Sequence, residues 1–165
     1  MKFATTTLLA LLLSSTPSHA INTADTRMLS TPAVNGERIA FAYDNDLWLA
    51  ARGGGSARRI TQAPGAETGP QFSPDGRWLA FTANYGDNLD AYIMPASGGE
   101  VRRLTWHPGN DIVRGFTPDS SAVLVQSPEG HFTRRLSYLA TIPVAGGMPT
   151  RLPVPSGFKA SLSPD

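Results

Sequence analysis

The residues of this chain most suggestive of chemistry are a histidine and two arginines, His131, Arg134 and Arg135. They fall in the longest predicted connection between strands, which runs from residue 127 to residue 137. Loops on a rigid scaffold often bind ligands, and arginine forms two parallel hydrogen bonds with a carboxylate. The cluster could therefore dock a carboxylate such as the carboxyl end of a peptide, although solvated surface charge is the more ordinary interpretation.

Two further groups of residues have both a chemical and a structural interpretation. His107, between Trp106 and Pro108, could act as a general base, but it equally fits a connecting-loop residue packed beside the tryptophan. The segments 44–46 and 87–90 combine aspartates with an asparagine, and Ca²⁺ prefers such oxygen ligands. Neither segment offers the six or more ligands that calcium takes, and the same residues form Asx turns. We therefore expect no metal site at either place.

The motifs of common catalytic and cofactor sites are absent from the sequence. It contains no Gly-x-Ser-x-Gly, no phosphate-binding glycine loop followed by Lys-Ser/Thr, and no His-Glu-x-x-His. The lack of cysteine excludes disulfides, thiolate zinc sites and a cysteine nucleophile. A formal net charge of +1 is a poor match for nucleic acid or an anionic membrane. We predict no catalytic residue, cofactor or metal in this chain and no nucleic-acid partner.

The first 20 residues have the pattern of an export signal. Lys2 provides the positive start, residues 8–13 an apolar run, and Ser18-His19-Ala20 a small-x-small cleavage site. The run is shorter than the roughly 20 residues that span a bilayer, and it lacks the polar positions of an amphipathic helix. We predict cleavage after Ala20 and a mature chain, residues 21–165, that works in the periplasm or outside the cell.

Two motifs recur in phase along the rest of the chain, roughly every 44 residues. One is an aromatic or leucine followed by Ser/Thr-Pro-Asp, and it is found at 72–76, 116–120 and 162–165. The other is a glycine pair followed by arginine and an apolar residue, and it is found at 54–61, 98–105 and 146–152. Two independent motifs that keep the same phase over three copies indicate an internal structural repeat.

Each copy has the pattern of four short strands. The second strand is apolar on both faces, which indicates a strand covered on both sides, and the fourth carries arginines, as an exposed edge does. Four strands per copy predict an all-β fold, a β-propeller of four-stranded blades; a β-sandwich or open meander would not require equal repeats. The copies span about 29–62, 63–107 and 108–153, with the start of another at 154–165.

The predicted ring is incomplete, because propellers close with four to eight blades and this chain has about three and the start of a fourth. The sequence stops within a predicted turn, so we expect it to be the amino-terminal part of a longer protein. Stability in repeat arrays comes from interfaces between neighbours. We therefore expect the isolated chain to aggregate or to fold only partly.

The predicted turn within each copy has residues suited to its backbone. In Ser73-Pro74-Asp75-Gly76, proline presets the first corner, aspartate caps the turn and glycine tolerates a positive φ. Asn35-Gly36 predicts a shorter type I′ turn in the first copy. In the third copy, Ser120 takes the glycine position, where a positive φ costs more.

These repeats resemble the TolB-type propeller repeat, which is shared by TolB, the prolyl oligopeptidase and dipeptidyl peptidase families, and the tricorn proteases. An ordered series of segments is similar to the opening blades of bacterial tricorn-type serine peptidases, namely 29–34, 38–43, 46–49, 103–109 and 113–119. The resemblance covers roughly residues 29–165. It implies a peptide-degrading enzyme whose propellers gate or feed a distant catalytic module, with a PDZ domain and a Ser-His type active site outside this chain.

Three hypotheses about function follow from the resemblance. The first is a propeller that gates or docks substrate peptides and proteins for an exported tricorn-like serine peptidase, in which homo-oligomerisation through the parent protein is an open question. The second is a TolB-like periplasmic scaffold that binds proteins without catalysis. The third is the propeller of a prolyl-oligopeptidase-like hydrolase. The sequence alone leaves open whether the parent is an enzyme.

Overall fold

The computed structural model describes residues 29–128 and 136–163, and these residues fold as β-strands joined by turns and loops. The strands are β1 (Ser30–Asn35), β2 (Arg38–Tyr43), β3 (Asp46–Ala51), β4 (Arg58–Arg59), β5 (Ala66–Phe72), β6 (Trp78–Asn84), β7 (Asp90–Pro95), β8 (Arg102–Arg103), β9 (Ile112–Phe116), β10 (Ala122–Ser127), β11 (Tyr138–Pro143) and β12 (Thr150–Arg151). None of the described segments is a helix of the length and apolarity needed to cross a membrane.

The strands form three separate four-stranded antiparallel sheets, each built from four strands that are consecutive in the chain. The first strand of each sheet contacts the first strand of the next, β1 with β5 and β5 with β9. The fourth strands, β4, β8 and β12, lie at the opposite edge and have two residues each. This arrangement confirms the predicted all-β fold and an unclosed set of propeller blades.

The buried core lies between neighbouring sheets. The first junction, between the first and second sheets, contains Leu47, Leu79 and Phe81, and the second junction, between the second and third sheets, contains Ala80 and Val125. Successive residues of β6 therefore face opposite junctions, which confirms that this strand is covered on both sides. Full burial of one large apolar side chain contributes about 1.5–3 kcal/mol, so the junctions hold the sheets together.

The turns between first and second strands agree with two of the three predictions. Gly76 has a φ of +70° and Ser120 a φ of +62°, so serine does occupy a left-handed position in the third copy. The type I′ prediction for Asn35-Gly36 is wrong, because Asn35 still pairs with Arg38 and only Gly36 has a positive φ. Such a turn fits type II′, in which only the first central residue needs a positive φ.

The arginines of the outer edge do more than discourage pairing with another chain. Arg58 donates to the Ser97 carbonyl in the second sheet, and Arg102 donates to the carbonyls of Val144 and Ala145 in the third, the latter at 2.6 Å. Each of these arginines therefore joins its own sheet to a turn of the following one.

Candidate functional site

The predicted docking cluster His131, Arg134 and Arg135 lies outside the described residues. The structure therefore does not test it, and it stays a prediction. In the sequence, the cluster belongs to the connection between β10, which ends at Ser127, and β11, which begins at Tyr138.

His107 lies on the connection between β8 and β9, and it is half-buried. Its Nδ1 accepts a hydrogen bond from the Gly109 backbone N–H at 2.9 Å. A nitrogen already used as an acceptor in a local turn is poorly placed to take a proton from a substrate. The geometry supports the connecting-loop interpretation of this histidine over the general base.

The two acidic segments form turns and ion pairs. Asp44 and Asn45 have φ values of +50° and +67° and make the two-residue turn between β2 and β3, which fits type I′. Asp46 pairs with Arg59 at 3.0 Å. In the second segment, Asp90 pairs with Arg103 at 2.6 Å. Within the described ranges, no group of three His, Asp or Glu residues is close enough to hold a metal ion.

A cavity of about 440 Å³ lies on the inner side of the sheets, where β1, β5 and β9 meet the segment that follows β12. Polar and cationic groups line it, including Gln71, Arg114 and Lys159. Its lining among the described residues contains these two cations and no acidic side chain. A cavity with this charge is suited to an anionic group such as a carboxylate.

Bulges in the inner strands shape this cavity. The pairing of β1 with β2 shifts between Ser30 and Ala33, and that of β5 with β6 shifts between Thr68 and Gln71. The Gly69 backbone N–H donates to Thr31 Oγ1 at 3.1 Å, which ties one bulge to the next. β9 shifts register at the corresponding place. Bulges redirect side chains, so these irregularities determine what each inner strand presents to the cavity.

The bulges and the cavity cations escaped the sequence analysis, although a signal for the bulges was present. Thr31-Pro32 and Gly69-Pro70 occupy corresponding positions in the first two inner strands. A proline inside a strand lacks the N–H of a ladder hydrogen bond and is found at edges and bulges. A proline at the same position in two copies therefore indicates a bulge in the inner strand. Arg114 and Lys159 have no comparable repeat signal.

Arg114 is the most firmly placed cation of the cavity. Its Nε donates to Gln126 Oε1 at 3.0 Å and its Nη2 donates to the same oxygen, while Gln126 Nε2 donates to Ser137 Oγ at 2.8 Å. Partial burial lowers the pKa of the guanidinium below its usual value, although arginine stays charged in proteins. A neutral glutamine orients the group without cancelling its charge, which leaves the guanidinium suited to bind an anion.

The first junction contains a hydrogen-bonded carboxylate, Glu67. Leu47 N–H donates to Glu67 Oε2 at 3.0 Å, Thr61 Oγ1 donates to the same oxygen, and the Tyr85 hydroxyl donates to Glu67 Oε1. Burial raises the pKa of Glu67, and the hydrogen bond from Thr61 opposes that effect. Both carboxylate oxygens are therefore used.

The second junction places Asp111 at the position of Glu67. The backbone shows the equivalence, since Glu67 N–H donates to the Asn45 carbonyl at 3.0 Å and Asp111 N–H to the Leu89 carbonyl at 2.8 Å. Asp111 is 2% exposed, and its Oδ1 has no hydrogen-bond partner in the part of the chain that the structure describes. Burial raises the pKa of this carboxyl, and a hydrogen bond from Ser127 opposes the rise.

Comparison with known proteins places these features in a family. Residues 26–165 match the model of the tricorn protease N-terminal beta propeller domain. The tricorn protease homolog 1 of Streptomyces coelicolor is 36% identical over 125 residues, which are 76% of this chain and 12% of that protein. A crystal structure of the tricorn protease superposes with a TM-score of 0.65 at 27% identity, covering 72% of this chain and 12% of that one.

A TolB structure is also similar. The crystal structure of TolB from Acinetobacter baumannii has a TM-score of 0.61 at 27% identity, and the match covers 81% of this chain and 33% of that one. The chain thus spans only a small part of the relatives it matches. Because the family model covers all of the described residues, the chain belongs to the family of tricorn protease N-terminal β-propeller domains.

Proposed function

We propose that this propeller docks or gates peptides for proteolysis by an exported tricorn-like serine peptidase. Membership of the tricorn N-terminal propeller family supports the link to proteolysis. The observation that carries the docking role is the inner cavity, where Arg114 and Lys159 present positive charge without an acidic neighbour in the described lining. No residue of this propeller is proposed to act on the scissile bond.

A carboxylate would bind in the inner cavity through charge-assisted hydrogen bonds. The Arg114 guanidinium has five N–H donors, and Gln126 engages only the edge formed by Nε and Nη2. Lys159 is an exposed second cation at the same cavity. In this proposal, the carboxyl end of a peptide pairs with Arg114 and Lys159, and His131, Arg134 and Arg135 add positive charge from the β10–β11 connection.

Export is the second part of the proposal, and it rests on the amino-terminal sequence. Lys2, the apolar run at 8–13 and the site at Ala20 have the order of a signal peptide. Expression of the intact protein in a bacterium with a periplasm should yield a mature chain that starts at Ile21. Mass spectrometry of the purified protein measures this start, and a chain retained in the cytoplasm with residues 1–20 attached would contradict it.

Peptidase assays of the intact protein test the docking role. A serine-reactive inhibitor should abolish hydrolysis. The variant Arg114→Gln should raise KM about tenfold for peptides with a free carboxyl end, because a charge-assisted hydrogen bond is lost. Peptides with an amidated end should be much less affected. Arg52→Gln, which changes an exposed arginine outside the cavity, is the matched control.

A protein-binding scaffold is the second candidate, and the similarity to TolB favours it. It predicts that the intact protein has no activity that a serine-reactive inhibitor blocks. It also predicts equal behaviour of Arg114→Gln and Arg52→Gln toward peptides. That pair of results would replace the docking role with a scaffold role.

A further inference from the structure

A groove of about 550 Å³ lies beside the second junction, between the second and third sheets. Its walls are apolar and include Leu104, Val125 and Ile142. Trp106 and Met148 also line it, and they are 66% and 85% exposed, respectively. The volume is within the range of about 300–1,000 Å³ that is usual for small-ligand sites. Large exposed apolar side chains beside a groove are typical of a binding surface.

A buried acid belongs to the lining of this groove. Asp111 is 2% exposed, and the structure assigns no hydrogen-bond donor to its Oδ1 among the residues it describes. The neighbouring Arg103 is paired with Asp90 at 2.6 Å. A buried carboxylate oxygen without a donor is costly, so a ligand that supplies a donor there gains a strong interaction. A cationic donor would also balance the charge.

The first junction shows what the same position looks like when the chain supplies the donor itself. There the Tyr85 hydroxyl donates to Glu67 Oε1, and the Tyr85 ring packs on Tyr92 with centroids 4.7 Å apart. The corresponding cavity is smaller, about 310 Å³, and Tyr85 is part of its lining. The two junctions therefore differ in both the acid and the space beside it.

We propose that the groove at the second junction binds the free amino end of a peptide whose first side chain is apolar. The ammonium group donates to Asp111 Oδ1, and the apolar side chain lies between the walls, near Trp106 and Met148. An ammonium group has three donors and a full positive charge, which the buried carboxylate requires. The choice of a peptide as the source of the amine rests on the proposed function.

Calorimetric titration of the intact protein with blocked tripeptides tests the proposal. Leu-Gly-Gly amide has a free amino end only, and N-acetyl-Leu-Gly-Gly has a free carboxyl end only. Asp111→Asn should weaken binding of the first probe about tenfold or more and leave binding of the second unchanged. Glu67→Gln is the matched control, because its carboxylate already has its donors, and it should leave both titrations unchanged.

Trp106→Ala keeps the test independent of any effect of Asp111→Asn on folding, because Trp106 is largely exposed. It should also weaken binding of the free-amine probe. Equal binding of Leu-Gly-Gly amide by the wild type and Asp111→Asn would overturn the proposal. The proposal would also be overturned if the wild type bound the fully blocked N-acetyl-Leu-Gly-Gly amide as tightly as Leu-Gly-Gly amide. Tighter binding of N-acetyl-lysine amide would assign the groove to a lysine side chain instead of an amino end.

Failure of the proposed docking role would look different. It would appear as absent binding of N-acetyl-Leu-Gly-Gly, or as binding that Arg114→Gln does not change. Each half of the experiment therefore reports on its own site.

Discussion

The two junctions between the sheets have the same backbone and different chemistry. In the first, Glu67 reaches Leu47 N–H, and Tyr85 donates to its second oxygen. In the second, Asp111 is shorter by one methylene. Ala91 N–H donates to Thr105 Oγ1 at 2.9 Å, as Leu47 N–H does to Thr61 Oγ1 at 2.8 Å, but no described residue donates to Asp111 Oδ1. The repeat therefore determines where an acid is placed, while the length of that acid and its neighbours determine whether its oxygens find donors.

The third sheet and the segment that follows it depart further from the pattern. Tyr138 stands where the earlier sheets have Asp46 and Asp90, and the Arg151 guanidinium lies over its ring at 4.9 Å. Gly157 takes the position of Glu67 and Asp111 in the earlier copies, because its N–H donates to the Ser137 carbonyl at 2.9 Å. An ion pair has been replaced by a cation–π contact on an unchanged backbone.

The largest expected effect on stability comes from removing a large side chain from the core of the first junction. Phe81 is completely buried, so Phe81→Ala should lower the free energy of unfolding by about 3–5 kcal/mol through lost burial and a cavity. Urea denaturation of the intact protein measures it. Phe158→Ala, at an exposed position, should cost little and is the control. Equal costs at the two positions would show that the junctions do not hold the sheets together.

The next effect separates the two buried acids. Tyr85→Phe leaves Glu67 Oε1 without its donor, and it should lower the free energy of unfolding by about 1–3 kcal/mol. Tyr43→Phe is the matched control, because the contact shown for Tyr43 is an edge-to-face contact of its ring with Trp48, which phenylalanine keeps. If both variants unfold alike, the hydrogen bond to Glu67 contributes nothing.

The sign of a neutral substitution should be opposite at the two junctions. Glu67→Gln should destabilise the protein by about 1 kcal/mol, because three donors lose their carboxylate. Asp111→Asn should stabilise it by about 1 kcal/mol at neutral pH, because it removes a buried charge with too few donors. Thermal unfolding of both variants measures the difference.

The effect of Asp111→Asn should also depend on pH. Burial raises the pKa of Asp111 in the folded protein above its unfolded value. Protonation of this carboxyl therefore stabilises the folded protein. The stabilisation is fully present below the unfolded pKa and is lost as the pH rises through the folded pKa. The advantage of the asparagine should thus shrink toward acidic pH. An advantage that stays constant down to pH values below the usual carboxyl range would contradict the role of the buried charge.

The smallest effect concerns Ser120, which links turns across the second junction. Its hydroxyl accepts a hydrogen bond from the Asp75 backbone N–H at 3.1 Å while its own φ is +62°. Ser120→Ala should lower the free energy of unfolding by about 1 kcal/mol, because the hydrogen bond is lost while the strained φ remains. Ser120→Gly should be nearly neutral, because relief of strain offsets the lost bond. Equal losses in chemical denaturation would show that the φ carries no strain.

The fold was predictable because its signals are local. The Ser/Thr-Pro-Asp turn motif recurs at 72–76, 116–120 and 162–165, and each copy has an apolar second strand. Each of these signals depends only on residues close to it in the sequence. Even here, the type I′ prediction for Asn35-Gly36 fails, because the register of the hairpin decides which residues are central. A shift of one residue changes the turn type without changing the sequence pattern.

The candidate sites were less predictable because their partners lie in other sheets. Arg58 contacts Ser97, and Arg114 lines the same cavity as Lys159. The two members of each pair are far apart in the sequence, so no local pattern predicts that they meet. In the sequence, Asp111 looks like an ordinary loop acid. It stands out only in the structure, where no described residue donates a hydrogen bond to its Oδ1. Repeats predict equivalent positions, but the differences between copies that create a site depend on three-dimensional neighbours.

The arginines at the outer edge have a consequence for how the chain assembles. Among the described residues, each strand pairs only with strands of its own sheet, and Arg58 and Arg102 reach forward to backbone carbonyls of the next sheet. Backbone pairing is thus local in the chain, which favours fast formation of each sheet. Because the forward contacts use carbonyl oxygens, which every residue has, a blade can change its side chains without losing its attachment. We expect this fastening to let the blades diverge in sequence while the array keeps its order.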